Sequence, residues 1–570
     1  MTHRDHNAQA EGASRMGPNI NARLKPKRFP AGTLSRIMCY LALRRSESSQ
    51  QAGKVDKALE IVTRALGRDR ENPRLRNEQA RLKFALMQTR RTSSRLEHIQ
   101  RAQTIDITSL CQCFWDAEKE LSLLELKIEG VFAWPLVRMN VFYDAAQRLG
   151  LYDAPHPNLK RQKEQPTTDP LTAAALERCA KVAGDNAVSG RQQFDKTIAV
   201  VMNARKLKGE DTYTKALREE AGAQALLLDS HSGADVMAGA IDFDALLTEF
   251  KRYRINSRDL VIEANTLETL DNLREFFERR LGLEIGDLST ALRRSVQTFL
   301  SVYKGFDLFW QAHPVETLFL TNGYGFRERA ALAAAQGRGI EVVELQHGFI
   351  SQFHLGYSWP GTDHVPYMAD TLLTFGDYWP DVTPLPADMT AVTIGAPYVK
   401  DMAALSKTET VKGLVTFTSQ GVVGRQLFDM AVRFALARAD KHVMFRLHPS
   451  ESLDDYEQAL KTYDTAPENF EISHRTPVIF EVLARTEILV GAFSTTLLEG
   501  MVLDCRTIVI NLPGIEYMKP IIDRGDVLMV QSFEELVQHV DDAPHAKDPS
   551  YYYAAPVASV MAKARAARSE

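Results

Sequence analysis

Apolar and polar residues fall into blocks along this 570-residue chain, and the texture of the blocks changes three times. Residues 1–30 mix Asn, Gly, Pro and charge with no apolar period, which predicts a disordered tail. From 31 to 151 small and apolar residues recur at helical spacing, as in GKVDKALEIVTRALGRDRENPRLRNEQARLKFAL (53–86) and the aromatic-rich stretch 114–151, so this region is predicted all-helical. Glu71-Asn72-Pro73 interrupts the first stretch, with Pro73 suited to open the next helix. Residues 152–195 are predicted as a linker, because their first part, YDAPHPNLKRQKEQPTTDP, is polar and punctuated by proline. Beyond it, apolar runs of strand length alternate with helical patterns. One series is TIAVVMN (197–203), ALLLDS (225–230), a long helical stretch around 240–310, TLFLTNG (317–323), IEVVELQHG (340–348), TLLTFG (371–376) and AVTIGAP (391–397). A second is GLVTFTS (413–419), HVMFRLHP (442–449), FEISHR (470–475), EILVGAFST (487–495), RTIVINLPG (506–514) and VLMVQS (527–532). Such alternation predicts parallel sheets with crossover helices. The expected fold class is therefore α/β, two tandem Rossmann-like doubly wound domains over 196–400 and 401–545, with a cleft between them. An all-α region precedes them and a C-terminal helix, 546–570, follows.

Composition narrows the class without changing this picture. A chain that is 45% hydrophobic and 25% charged can bury several cores. The first residues are polar and no apolar run is long enough to cross a bilayer, so a cytoplasmic location is expected. Cys39, Cys111, Cys113, Cys179 and Cys505 are odd in number and scattered, as reduced thiols would be, and Cys111 and Cys113 lack zinc-knuckle spacing. Net charge is −4, but residues 1–110 carry roughly +12 and the remainder roughly −16. The basic arm is a solvated helical face or a docking surface for acidic headgroups at the inner membrane or for an assembly partner. Nucleic acid is not expected, since few aromatics accompany the basic residues.

In open parallel sheets, ligands collect beyond the carboxyl ends of the strands. His347, His448, Asn322-Gly323, Ser419 and Ser494-Thr495 all fall at such ends, a set suited to a phosphorylated ligand. In FRLHPSE (445–451) Pro449 ends the ladder and fixes His448, and Arg446 shares its face by the two-residue period, so the pair favours phosphate charge. GAFSTTLLEGM (491–501) places Ser494, Thr495 and Thr496 where a strand hands over to a helix, whose N–H groups and dipole attract anions. Glu499, one turn on, is a helix-start carboxylate or an acceptor for sugar hydroxyls. Asp242-Phe243-Asp244 imitates a metal-binding carboxylate pair, but it precedes the helical pattern ALLTEFKRY and is read as helix-start charge, so no metal site is expected. Nor is there a P-loop, a GxSxG elbow or an HExxH motif, and GYGFRE (323–328) departs from GxGxxG.

Taken together, LQHG (345–348), GAPYVKD (395–401), FRLHPSE and ILVGAFSTTLLEG resemble the two-domain GT-B glycosyltransferases of bacterial surface polysaccharide assembly. The resemblance is to the capsule polysaccharide synthesis and CDP-glycerol glycerophosphotransferase group, with polysialyltransferases more distant, and it covers about residues 196–545. Ala58, Leu59, Ala65, Leu66, Pro73 and Ala80 resemble one tetratricopeptide repeat.

The resemblance implies an enzyme that needs no cofactor and takes a nucleotide-activated sugar or polyol phosphate, CDP- or CMP-linked donors being the first to consider, to a polysaccharide or lipid-linked acceptor. By it, His448 and Pro449, with Arg446 alongside, meet the donor diphosphate, and Ser419, Ser494, Thr495, Thr496 and Glu499 complete the nucleotide side. His347 is the implied general base for the acceptor hydroxyl, flanked by Asn322, Gly323, Gln346 and Gly348 on the acceptor side. Family members using CDP-glycerol often carry an aromatic where Gln346 stands, which leaves the transferred group open. Two other classes remain: a nucleotide-sugar epimerase on the same frame, which would need no acceptor, and a non-catalytic scaffold, indifferent to loss of either histidine.

Overall fold

The computed structural model describes residues 55–66, 75–76, 78–79, 82, 105–151, 197–203, 206, 209–230, 236–252, 259–405, 409–463 and 467–567. The tail 1–30 and the linker lie outside them, as do Pro73 and Ala80. In the N-terminal region the helix Val55–Leu66 buries Ala58 and Val62 against Leu75 and Leu82, as two helices in contact would. Helices Ile107–Glu120 and Trp134–Arg148 are joined by a hairpin, β1 (Lys127–Ile128) and β2 (Val131–Phe132), which turns through Glu129 and Gly130, both at positive φ. Trp134 is core, its Nε1 donating to Glu118 Oε1 at 2.7 Å. Arg138, 1% exposed, pairs with the same carboxylate and donates to the carbonyls of Leu355 and Ser358. A buried cation with carboxylate and carbonyl partners ties these helices firmly to the following domain.

The first α/β domain holds a seven-stranded parallel sheet of β3 (Ile198–Val201), β4 (Ala225–Asp229), β5 (Ile241–Asp242), β6 (Thr317–Thr321), β7 (Glu341–Leu345), β8 (Thr371–Thr374) and β9 (Thr390–Thr393), in the order β5-β4-β3-β6-β7-β8-β9. The second holds six parallel strands, β10 (Leu414–Thr418), β11 (His442–Arg446), β12 (Phe470–Ser473), β13 (Ile488–Gly491), β14 (Arg506–Ile510) and β15 (Leu528–Val530), ordered β12-β11-β10-β13-β14-β15. The central strands β3, β6, β8, β10 and β13 are buried along their whole length, as parallel strands covered by helices on both faces must be. Every run read as a strand in the sequence is one. The expected two tandem doubly wound domains are present, and both sheets reverse direction at their first strand. The reversal lies between β3 and β6 in one sheet and between β10 and β13 in the other, and at such a point the loops part and open a crevice.

Two elements departed from the simple pattern. The two-residue edge strand β5 is too short to show a period, and Asp242 caps the helix Phe243–Arg252 through Ala245 N at 2.9 Å while Asp244 pairs with Arg327, so both are helix-start charges. The chain after the second sheet returns to the first domain. Ala554 N donates to Phe375 O (2.8 Å), Val557 N to Ile394 O (3.0 Å), and Glu220 accepts from Val560 N (2.8 Å) at the start of the helix Val560–Ala566. This strap, together with a hydrophobic core that runs from the first domain into Leu489, Leu497, Met501 and Tyr517 of the second, holds the two sheets together.

Candidate active site

The second sheet brings three predicted positions side by side, because β11, β10 and β13 are neighbours and their carboxyl ends carry His448, Ser419 and Ser494 respectively. Adjacent strands lie about 4.8 Å apart, so the three positions share one rim of roughly two strand spacings, with the reversal point inside it. Glu451 organises this rim. One carboxylate oxygen accepts from His448 N at 2.7 Å, and the other from Ser419 Oγ at 2.9 Å and Tyr456 OH at 2.6 Å. The ring of His448 is oriented by Ser450 Oγ, 2.7 Å from Nδ1. Pro449 is exposed and Ser419 buried, its hydroxyl spent on Glu451.

Arg446 is 8% exposed, and its Nη1 donates to Ser473 Oγ and Pro477 O, each at 2.8 Å. Burial lowers its pKa to about 10, which leaves it charged at neutral pH behind the histidine turn. Ser494 is the N-cap of the helix Thr495–Val502 and accepts from Thr496 N at 3.3 Å. Thr495 and Thr496 are half-buried in its first turn. Glu499 does not close a capping box. It is buried, faces the first domain and accepts from Tyr398 OH at 3.0 Å, and burial raises its pKa to about 7.

On the first sheet, β6 ends in Asn322, at φ +61° in the left-handed region, and Gly323. Gly323 N donates to Glu344 Oε1 at 2.8 Å, and a Cβ at that position would stand 2.4 Å from the other oxygen, so the turn admits only glycine without a shift. Glu344 also accepts from Tyr357 OH at 2.5 Å and is pushed up to about 7 by burial. Gln346 is 1% exposed; its amide accepts from Phe375 N and donates to Gly348 O, both at 2.9 Å, which staples the His-Gly turn to the end of β8. It therefore positions His347. Nothing lies within 4 Å of where a Cβ on Gly348 would be, so the space beside the turn is open. The His347 ring is half-buried, 6.4 Å from the Tyr213 ring and 6.1 Å from that of Tyr324.

The two rims meet through tyrosines. Tyr213 lies 5.1 Å from Tyr398, whose hydroxyl donates to Glu499, so a short line of contacts runs from His347 to the helix that Ser494 caps. Burial keeps Tyr398 far above its ordinary pKa, hence as a neutral donor. Sequence reading missed Glu451, Glu344, Tyr213 and Tyr398. Glu451 and Tyr398 stood inside quoted motifs, FRLHPSE and GAPYVKD, and Glu344 inside the strand run IEVVELQHG, but none was singled out there.

No protein-family model matches the chain, and no curated protein sequence does. Among solved structures, it is similar to UDP-GlcNAc 2-epimerase of Methanocaldococcus jannaschii in complex with UDP-GlcNAc and UDP, at 11% identity, over 65% of this chain and 98% of that one, with a TM-score of 0.38. It is similar also to the glycotransferase of kitacinnamycin (10% identity, 62% and 91% covered, TM-score 0.37) and to MurG of Acinetobacter baumannii (12%, 61% and 90%, TM-score 0.32). At that level of identity the chemistry has to be read from the residues.

Proposed function

We propose that the chain is a nucleotide-dependent transferase that moves a sugar, or a sugar or polyol phosphate, onto a surface polysaccharide or its lipid-linked primer. The observation that carries this reading is the shared rim at which the ends of β11, β10 and β13 put His448, Ser419 and a capped helix N-terminus around one reversal point. Backbone N–H groups of 495 and 496, the imidazole of His448 and the buried charge of Arg446 suit a diphosphate. Glu499 then serves the sugar or ribose hydroxyls. His347, held across from this rim by Gln346 and the tyrosines, takes the acceptor's hydroxyl proton. The acceptor oxygen forms the new bond, the bond from the transferred group to the nucleotide phosphate breaks, and the leaving phosphate keeps the electron pair.

A capsule or related surface polymer as product, a single tetratricopeptide-like hairpin at 53–86 and peripheral contact with the inner membrane through the basic N-terminal region extend this reading. Among the described residues no helix is long and apolar enough to cross a membrane. An epimerase on the same two-domain frame is the alternative, and it differs in needing no acceptor. Thermal-shift screening against CDP-, CMP-, UDP- and GDP-linked sugars and polyols tests the proposal, since a ligand of the folded state raises apparent stability with occupancy. A shift with one nucleotide class, with turnover only when an oligosaccharide acceptor is added, is the expected result. Turnover without acceptor selects the epimerase, and no shift with any nucleotide leaves the scaffold.

A further inference from the structure

A buried carboxylate shapes the chain after β3, the strand at which the first sheet reverses. Asp211, 0% exposed, accepts from Asn203 N at the end of that strand (2.9 Å), from Tyr213 N (3.1 Å) and from the hydroxyl of Thr214, while Arg218 donates to its carbonyl at 3.1 Å. Three donors on one buried acceptor hold this turn in a single arrangement. Tyr213 is what the turn presents. It is half-buried, where Asp211 and Thr214 are covered.

The ring of Tyr213 meets that of His347 edge to face, with centroids 6.4 Å apart and planes at 85°. It is stacked on Phe375 (6.4 Å, 20°) and edge-on to Tyr398 (5.1 Å, 64°), separations and angles that aromatic rings favour. Phe375 is also the residue whose N–H holds the Gln346 amide. The end of β8 thus secures the His-Gly turn twice, through the Gln346 side chain and, by way of Tyr213, through the imidazole. Tyr324, just after Gly323, brings a further ring to 6.1 Å from His347.

The two supports do different things. Gln346 fixes the backbone at the turn, but the rotamer of the imidazole is decided by what packs against the ring. Rotamer is what matters to a general base, which must lie within hydrogen-bond reach of the hydroxyl it deprotonates, and a displacement of about 1 Å can cost about a hundredfold in rate.

We infer that Tyr213 is a positioning residue, whose ring fixes the rotamer in which the His347 imidazole meets the acceptor hydroxyl. The proton transfer rests on the transferase reading, whereas the hold on the ring is observable without any substrate.

Nuclear magnetic resonance of the full chain carrying 13C at histidine Cε1 tests this, with wild type compared with Tyr213→Leu, Tyr213→Met and Tyr213→Phe and the His347 signal assigned by its loss in His347→Gln. The two ringless variants are expected to shift or split that signal, and Tyr213→Phe to keep it near its wild-type position. Thermal unfolding is followed on each, and either ringless variant that folds suffices. With the nucleotide donor that most raises stability, and chitotetraose and maltotetraose as acceptors, the ringless variants should lose at least about tenfold in kcat while donor Kd stays within about twofold, and Tyr213→Phe should restore turnover. A His347 signal unmoved by loss of the ring, a kcat loss that Tyr213→Phe does not restore, or a loss carried by donor Kd overturns the inference. If the signal moves as expected but no nucleotide shifts the protein, the hold on the imidazole stands and the transferase reading falls.

Discussion

Glu499 joins stability and function in a form that can be measured. The residue is 7% exposed, its carboxyl accepts from Tyr398 OH at 3.0 Å, and burial raises its pKa from 4.5 to about 7. Because the folded chain holds this proton more tightly than the unfolded one, the contribution of Glu499 to stability is most favourable below about pH 4.5, falls as pH rises, and levels off above about pH 7. A shift of that size corresponds to roughly 3 kcal/mol at full ionisation, of which about 2 kcal/mol develops between pH 5.5 and 8.5. Glu499→Gln keeps an oxygen for Tyr398 and cannot ionise. The variant is therefore expected to unfold at higher temperature than wild type, with an excess that grows from pH 5.5 to 8.5, as followed by tryptophan fluorescence in matched buffers. If Glu499 also serves donor hydroxyls, the same variant binds nucleotide donor more weakly, a trade of function for stability. An excess that is constant with pH, or a variant less stable at pH 8.5, would refute the burial of an ionisable carboxyl at this interface.

Other consequences are direct. Glu451→Ala removes the acceptor for His448 N, Ser419 Oγ and Tyr456 OH, so donor Kd should rise by about tenfold or more in titration calorimetry while the circular dichroism spectrum is kept. Gly376→Ala places a Cβ 2.3 Å from Tyr551 O, which should loosen the strap and expose the 551–566 segment to limited proteolysis. Arg138→Leu leaves Glu118 buried without its cation and should cost about 3 kcal/mol or more of stability, read as a lowered unfolding temperature.

The twelve main strands could be read from sequence because parallel strands buried on both faces are continuous apolar runs, as in TLFLT and ILVG. The hairpin β1–β2 left its Glu129-Gly130 turn in the sequence, but two-residue strands show no alternation. The return of residues 551–566 to the first domain left no local trace, since it depends on backbone contacts with Phe375 and Ile394 more than 150 residues away by count. The site divides in the same way. Strand ends announce His347, His448 and Ser494 through the Gly, Pro and hydroxyl residues that terminate each ladder. What holds them does not: the carboxylate of Glu344 acts through Gly323 on another strand, and Tyr398 reaches Glu499 across the domain boundary. Gln346, read as facing an acceptor, is turned inward because its amide satisfies two backbone groups that the turn would otherwise bury unpaired.

The division of labour between the rims is open to one direct measurement, calorimetric titration of the best-binding nucleoside diphosphate into wild type, His448→Ala and His347→Gln. Loss of at least about tenfold in affinity for His448→Ala, with affinity kept but transfer abolished in His347→Gln, is the predicted outcome. Nucleotide affinity that depends on His347 and ignores His448 would contradict it.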